Sequence, residues 1–339
     1  MLMSETPRYG AGLTNDKLWY DAPAGEFLNA LPIGTGRLAA MVFGGARLER
    51  IALNHEWLWR GKHRQRDTAH SAAHLAEVRR LLLAERWGEA DVLANDAFAG
   101  LGGTSGKPNR VDPYQPAGDL YIESGHDTTH EYRRELDLAT AQTTVTFNGE
   151  FRHETIAHLT EDRILIRLTY SGANAPGIKI WLDRVFDPDC KLRFQTTPAG
   201  LRMDGRFADG IRFRVQAAVR TDGQVSVDRG RLLVQNAREI ILAINIGVGV
   251  RGRKADVECG PLVVPAGTWD ELLATHRREH QEQRNTTEQA QQRRRRAPAP
   301  APPPRWRTRR SRRGASRAGT GRRAAARAPR RAHRCGPSR

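Results

Sequence analysis

The sequence predicts a mainly β protein: a large antiparallel sandwich with a short two-helix insertion and one C-terminal helix. Three observations carry that expectation. Short runs rich in Val, Ile, Leu, Thr and Phe recur from Leu120 to Ile246, punctuated by Gly, Asp and Asn. Asn148-Gly149 sits between two such runs and suits a type I′ hairpin turn, because both residues tolerate positive φ. Helical spacing of apolar residues is confined to His70–Phe98 and to the stretch after Thr268.

The elements follow in order. Residues 1–16 are polar and read as a loose leader, and Leu18-Trp19-Tyr20 reads as a short aromatic strand closed by Asp21-Ala22-Pro23. Leu38–Phe43 and Ile51–Leu53 form a predicted hairpin in which Gly44-Gly45 supply the positive φ angles. From His70 to Arg86, Leu75, Val78, Leu81 and Leu82 recur every three or four residues and predict a helix with those four facing inward. A second helix is expected from Trp87 to Phe98, stopped by Gly100, Gly102 and Gly103. After a loop over 104–116, strands are expected at Thr143–Phe147, Phe151–Leu159, Arg163–Tyr170, Ile178–Leu182, Leu201–Met203, Ile211–Val219, Val225–Val227, Arg231–Val234 and Glu239–Ile246. Thr268 and Glu271 have capping-box spacing and open a helix with Leu272, Leu273 and His276 inward.

Charge is distributed unevenly. The 339 residues carry a formal +17, but Arg284–Arg339 holds 19 Arg against Glu288 alone, which is +18, leaving −1 for residues 1–283. A nucleic-acid argument from basicity therefore applies to the tail and not to the folded part. The tail uses almost only Arg, Ala, Pro, Gly and Ser, residues of GC-rich codons, and is read as a disordered segment translated out of frame. Cys190, Cys259 and Cys335 are far apart and odd in number, so neither a disulfide framework nor a zinc knuckle is indicated. No basic-then-apolar signal pattern opens the chain, and no apolar run is long enough to span a membrane, so the expectation is a cytoplasmic protein without membrane contact.

Several motifs invite chemistry. Gly34 and Gly36 begin a GxGxxG pattern, but Ala39 takes the third place and no helix start follows, so no dinucleotide cofactor is expected. His276, Glu279 and His280 match H-x-x-E-H, and His153, Glu154 and His158 nearly match H-E-x-x-H. The first lacks a third ligand, and the second places its imidazoles on opposite faces of a strand, so no metal is assigned. Carboxylates at Glu56, Asp119, Glu123, Asp183 and Asp187 supply no pair that sequence alone can place across a sugar bond. Asn54, Glu56, Trp57, Trp59 and Arg60 put an amide, a carboxylate, two indoles and a guanidinium together, a mixture suited to sugar hydroxyls and faces. They are the candidate substrate-binding residues, and the alternative is that the indoles are core or interface aromatics.

One series of motifs is specific. Leu18-Trp19-Tyr20-Asp21, Pro23-Ala24, Leu31-Pro32-Ile33-Gly34, Gly36-Arg37-Leu38, Met41-Val42-Phe43-Gly44-Gly45, Glu49-Arg50-Ile51, Leu53-Asn54, Leu58-Trp59, Tyr114-Gln115-Pro116, Gly118-Asp119-Leu120, Tyr132-Arg133-Arg134 and Leu136-Asp137-Leu138 resemble the N-terminal domain of glycoside hydrolase family 95. The likeness spans residues 17–283 and implies a β-supersandwich at 17–267 and the start of a helical linker at 268–283, before the tail at 284–339. Members of that family act with inversion on α-L-fucosides and, in some cases, related α-L-galactosides, and their catalytic groups lie in an (α/α)6 barrel after the linker. The resemblance thus implies a fucosylated glycan as partner and a barrel that is missing or separately encoded. It transfers no catalytic residue to this chain. The expectation is a truncated relative, inactive alone, with two alternatives: a carbohydrate-binding sandwich, or non-specific nucleic-acid binding by the tail.

Overall fold

A computed structural model describes residues 16–60, 71–98, 113–126, 128–208, 210–249, 257 and 262–296. The opening leader up to residue 15, the glycines after Phe98 and the tail from residue 297 lie outside the described residues. Sixteen strands appear among them: β1 Lys17–Tyr20, β2 Leu31–Gly34, β3 Leu38–Val42, β4 Leu48–His55, β5 Gly118–Glu123, β6 Arg133–Asp137, β7 Gln142–Phe147, β8 Phe151–His158, β9 Arg163–Tyr170, β10 Ile178–Asp183, β11 Cys190–Thr197, β12 Gly200–Phe207, β13 Arg212–Thr221, β14 Gln224–Asp228, β15 Arg231–Gln235 and β16 Glu239–Gly249. The helices are α1 Ser71–Leu83, α2 Trp87–Phe98 and α3 Trp269–Arg296.

Two antiparallel sheets result, with strand orders β1-β6-β7-β8-β9-β16-β13-β12-β11 and β14-β15-β10-β5-β4-β3-β2. Strand alternation sends one side of each into a shared core. Leu31, Leu38, Ile51, Leu53, Leu120 and Ile180 come from the seven-stranded sheet, and Phe147, Ile164, Ile166, Phe213, Val215 and Leu242 from the nine-stranded one. A second apolar cluster lies outside the nine-stranded sheet. There Trp269, Leu272 and Leu273 of α3 cover Ile156, Leu165, Ile241 and Ala243.

Local chemistry explains most boundaries. Asn148 and Gly149 take φ of 58° and 67°, as the turn between β7 and β8 requires. The Thr268 N–H donates to Glu271 Oε2 at 2.8 Å and the Glu271 N–H to Thr268 Oγ1 at 3.3 Å, so the capping box forms. The helix runs on to Arg296, beyond the Gln283 boundary expected for the linker, since Gln, Glu and Arg are good helix formers.

Three strands were not expected from sequence. β2 contains Pro32, tolerated because β2 is an edge strand. β11 is an exposed edge. β6 reads as charged, yet buried Arg134 satisfies its guanidinium on the carbonyls of Ala22 at 2.7 Å and Asn29 at 2.8 Å, over the Tyr20 ring. Two packing expectations also change. In α1 only Val78 and Leu81 are buried; Leu75 and Leu82 are 40% and 42% exposed, since among the described residues α1 packs chiefly on α2, a narrow partner. Between β3 and β4 only Gly44 has positive φ, and the turn is closed by the buried Glu49 carboxylate, whose Oε1 accepts the Phe43 and Gly44 N–H groups at 3.1 and 3.0 Å.

Gly44 holds φ of 76°, and an added Cβ would meet the Tyr132 hydroxyl. Gly44→Ala is therefore expected to cost about 2–4 kcal/mol from left-handed strain and overpacking, measured by urea unfolding. An unchanged midpoint would contradict this account of the turn.

Candidate functional site

Leu58 is fully buried, and that anchor decides the geometry of the chain after β4. With Leu58 in the core, Trp57 and Trp59 on either side are driven outward, to 50% and 46% exposure. The Trp59 indole N–H donates to Glu56 O at 2.7 Å, and its ring lies 4.9 Å from that of Tyr114, whose hydroxyl donates to His55 O at 3.0 Å. On the other side the Arg37 guanidinium sits 5.0 Å from the Trp57 ring and lies between two carboxylates, Glu56 at 3.7 Å and Asp162 at 3.5 Å. Thr35 donates its hydroxyl to Asp162 at 2.6 Å. Arg60 reaches Asp189 at 2.9 Å and packs over Phe207.

Of the five residues singled out in sequence, Glu56, Trp57, Trp59 and Arg60 thus share one end of the sandwich, while Asn54 lies half-buried within β4 opposite Ala39. Sequence reading missed Arg37, Tyr114, Asp162 and Asp189, which arrive from other turns. Buried Arg184 ties the same end together, with Nε on Pro116 O at 3.1 Å and Nη2 on Gln115 Oε1 at 3.1 Å. The following Val185 and Phe186 stand 66% and 87% exposed.

Four of the five carboxylates singled out in sequence pair with cations, Glu56 with Arg37 as above. Asp119 pairs with Arg50 at 3.1 Å, Glu123 with Lys179 at 3.4 Å, and Asp187 with Arg184 at 3.7 Å. Asp183 accepts the Arg184 N–H at 2.7 Å. A general acid in glycoside hydrolysis needs a raised pKa. Among the described residues, the carboxyl groups displaced from their ordinary values, Glu77, Glu135, Asp204 and Glu279, are all displaced downward.

The H-x-x-E-H residues join α3 to the sandwich. His276 is buried with Nδ1 2.9 Å from Ala157 O and Nε2 2.8 Å from Thr140 O, so both ring nitrogens face backbone carbonyls. Glu279 accepts the Leu159 N–H at 3.0 Å, and His280 Nε2 lies 3.2 Å from Leu138 O. On β8, His153 meets Thr155 Oγ1 at 2.9 Å while His158 lies 3.6 Å from Glu279, so these two rings serve different sides of the sheet.

With that geometry in view, relatives can be compared. A family model described as "Glycosyl hydrolase family 65, N-terminal domain" matches residues 18–252, more than half of the chain. The chain belongs to that family. The chain is also 33% identical over 189 residues to "Alpha-L-fucosidase 2" of Arabidopsis thaliana, covering 54% of this chain and 21% of that protein. The chain thus spans about a fifth of the length of this curated relative. A solved "Putative kojibiose phosphorylase from human microbiome" superposes with TM-score 0.41 at 8% identity, over 81% of this chain and 39% of that one. Among the described residues no helix is long and apolar enough to cross a membrane.

His55 supplies a pH test of the site. It is buried, and desolvation first, then Arg37, against an opposing effect of Asp162, lowers its pKa from 6.5 to about 4. The neutral ring accepts the Trp57 N–H at Nδ1, 3.1 Å away. Because the unfolded chain binds this proton first, the His55 contribution is complete above pH 6.5 and is lost as pH falls toward about 4. Urea unfolding across that window is expected to show a shallower pH slope in His55→Gln than in the parent. Equal slopes would refute the assignment.

Proposed function

We propose that this family 65 N-terminal domain acts in α-L-fucoside hydrolysis of the family 95 type, as the non-catalytic sandwich of a two-part enzyme. Its working surface is the end of the sandwich that carries Trp57, Trp59 and Tyr114. One observation carries the reading. The same end holds the β2–β3 turn at Thr35–Arg37, the β4–β5 connection, the β8–β9 turn and the Val185–Phe186 loop, and α3 meets it through Glu279 and His280. An end that exposes several large apolar side chains beside paired charges suits a covering partner more than bulk water.

In this reading residues 17–267 are the domain, residues 268–283 begin the linker, and the general acid and the water-activating group come from a separate catalytic barrel. The 33% identity to a protein named as an α-L-fucosidase supports the substrate class. The pairing of Glu56 and Asp162 with the same cation, Arg37, fits a reading in which neither serves as a general acid. Incubated with 4-nitrophenyl α-L-fucoside, the chain alone is expected to release no nitrophenol above the buffer rate. Release that scales with protein and disappears in Glu56→Gln would contradict the proposal.

The half-exposed indoles of Trp57 and Trp59 favour a second reading, in which the sandwich itself binds a fucosylated glycan with Glu56 and Arg60 as hydroxyl partners and Asn54 beside them on β4. Titration calorimetry with a fucosylated oligosaccharide separates the two. Saturable heat that vanishes in Trp57→Ala/Trp59→Ala supports binding by the domain, whereas no heat leaves the end as a docking surface.

A further inference from the structure

Next to Asp189 and Phe207, which Arg60 contacts, strand register builds a different surface on the outside of the nine-stranded sheet. Lys191, Arg206 and Arg212 lie opposite one another across β11, β12 and β13; the next outward row is Arg193, Asp204 and Arg214; the third is Gln195, Arg202 and Gln216. Six cations therefore share this face with one carboxylate. That carboxylate is doubly engaged: Asp204 takes Arg202 Nε at 2.6 Å and Arg214 Nε at 2.7 Å. Burial works to raise its pKa, but the two guanidiniums outweigh it and hold Asp204 below the usual range.

This concentration is local, since residues 1–283 carry a net −1. Neighbouring strands are about 4.8 Å apart and alternate residues about 6.8 Å, so the cations form a grid on a nearly flat surface. Beside the third row lies a cavity of about 200 Å³ lined by Gln195, Gly200, Arg202, Gln216 and Leu262. Among the described residues, Gln216 Oε1, buried there, has no hydrogen-bond partner, an acceptor open to a donor from a ligand.

We propose that the outer face of β11–β13 binds an anionic glycan chain. Lys191, Arg193 and Arg206 contact its sulfate or carboxylate groups, and Gln195 and Gln216 its hydroxyls. Charge complementarity selects an anion, and the side-chain amides in the third row select a ligand rich in hydroxyl groups. Outward positions on these strands carry no aromatic side chain, so base stacking, the usual companion of basic surfaces that hold single-stranded nucleic acid, is missing. Lys191, Arg193 and Arg206 are not among the residues that carry the proposed function, so failure of this proposal would leave that function untouched.

Hydrogen–deuterium exchange on the full chain tests it, because the readout is local and separates this face from the Arg-rich tail. Among the described residues β11 is the edge strand of the nine-stranded sheet, with a ladder partner on one side only, so its amides report occupancy. Sulfated heparin oligosaccharides and oligogalacturonate are compared with neutral dextran and duplex DNA. Slower exchange in β11–β13 with either anionic glycan supports the proposal and tells sulfate from carboxylate. Affinity is expected to fall about tenfold in Lys191→Ala/Arg193→Ala/Arg206→Ala, as for three exposed ion pairs. Those three side chains are exposed, and Arg202 and Arg214 stay in place to hold Asp204. Protection confined to the tail, equal protection by dextran, stronger protection by DNA, or unchanged affinity in the triple variant would each overturn it.

Discussion

The structure depends on one constraint: two sheets close on a single apolar layer, and a charged group admitted to that layer must be held by other groups of the protein. Leu31, Ile51, Leu120, Phe147, Ile166, Val215 and Leu242 fill that layer by alternation alone. The exceptions show its force. Glu49 is tolerated inside because one of its oxygens takes two backbone N–H groups of the β3–β4 turn. Arg134 is tolerated because two carbonyls and the Tyr20 ring surround its guanidinium. A layer filled in this way leaves ligand chemistry to the ends and outer faces of the sandwich.

Those exterior surfaces are shaped by the same alternation. Leu58 continues the core beyond β4, and its burial pushes the flanking indoles into solvent. On β12 and β13, inward Leu201, Met203, Phe213 and Val215 leave Arg202, Asp204, Arg212 and Arg214 to face outward in register. α3 seals a third region by laying Trp269, Leu272 and Leu273 over an apolar patch of the nine-stranded sheet. Polar contacts of His276 and Glu279 with carbonyl and N–H groups at strand ends hold the helix in register there.

Much of the fold was legible in the chain because the signals were local. The aliphatic run of β9, the Asn148-Gly149 turn and the Thr268–Glu271 box each act within a few residues. β6 and β11 were illegible because neither carries an apolar pattern of its own; β6 is secured by partners about a hundred positions away, such as Ala22 for Arg134. The candidate site divides in the same way. Glu56, Trp57, Trp59 and Arg60 are contiguous and could be read directly. Arg37 and Tyr114, with Asp162 held by Thr35 across 127 positions and Asp189 held by Arg60 across 129, join them only through the closed sandwich.

In the proposed two-part arrangement the end bearing Trp57, Trp59, Tyr114 and Phe186 is a covered surface. Hydroxyl-radical footprinting reads it most directly, applied to this chain and to a full-length family relative with aromatic residues at the matching positions. The account expects heavy oxidation of these residues in the isolated sandwich and strong suppression at their equivalents in the longer protein. Equal oxidation in both would show that this end faces solvent throughout, and would contradict the account.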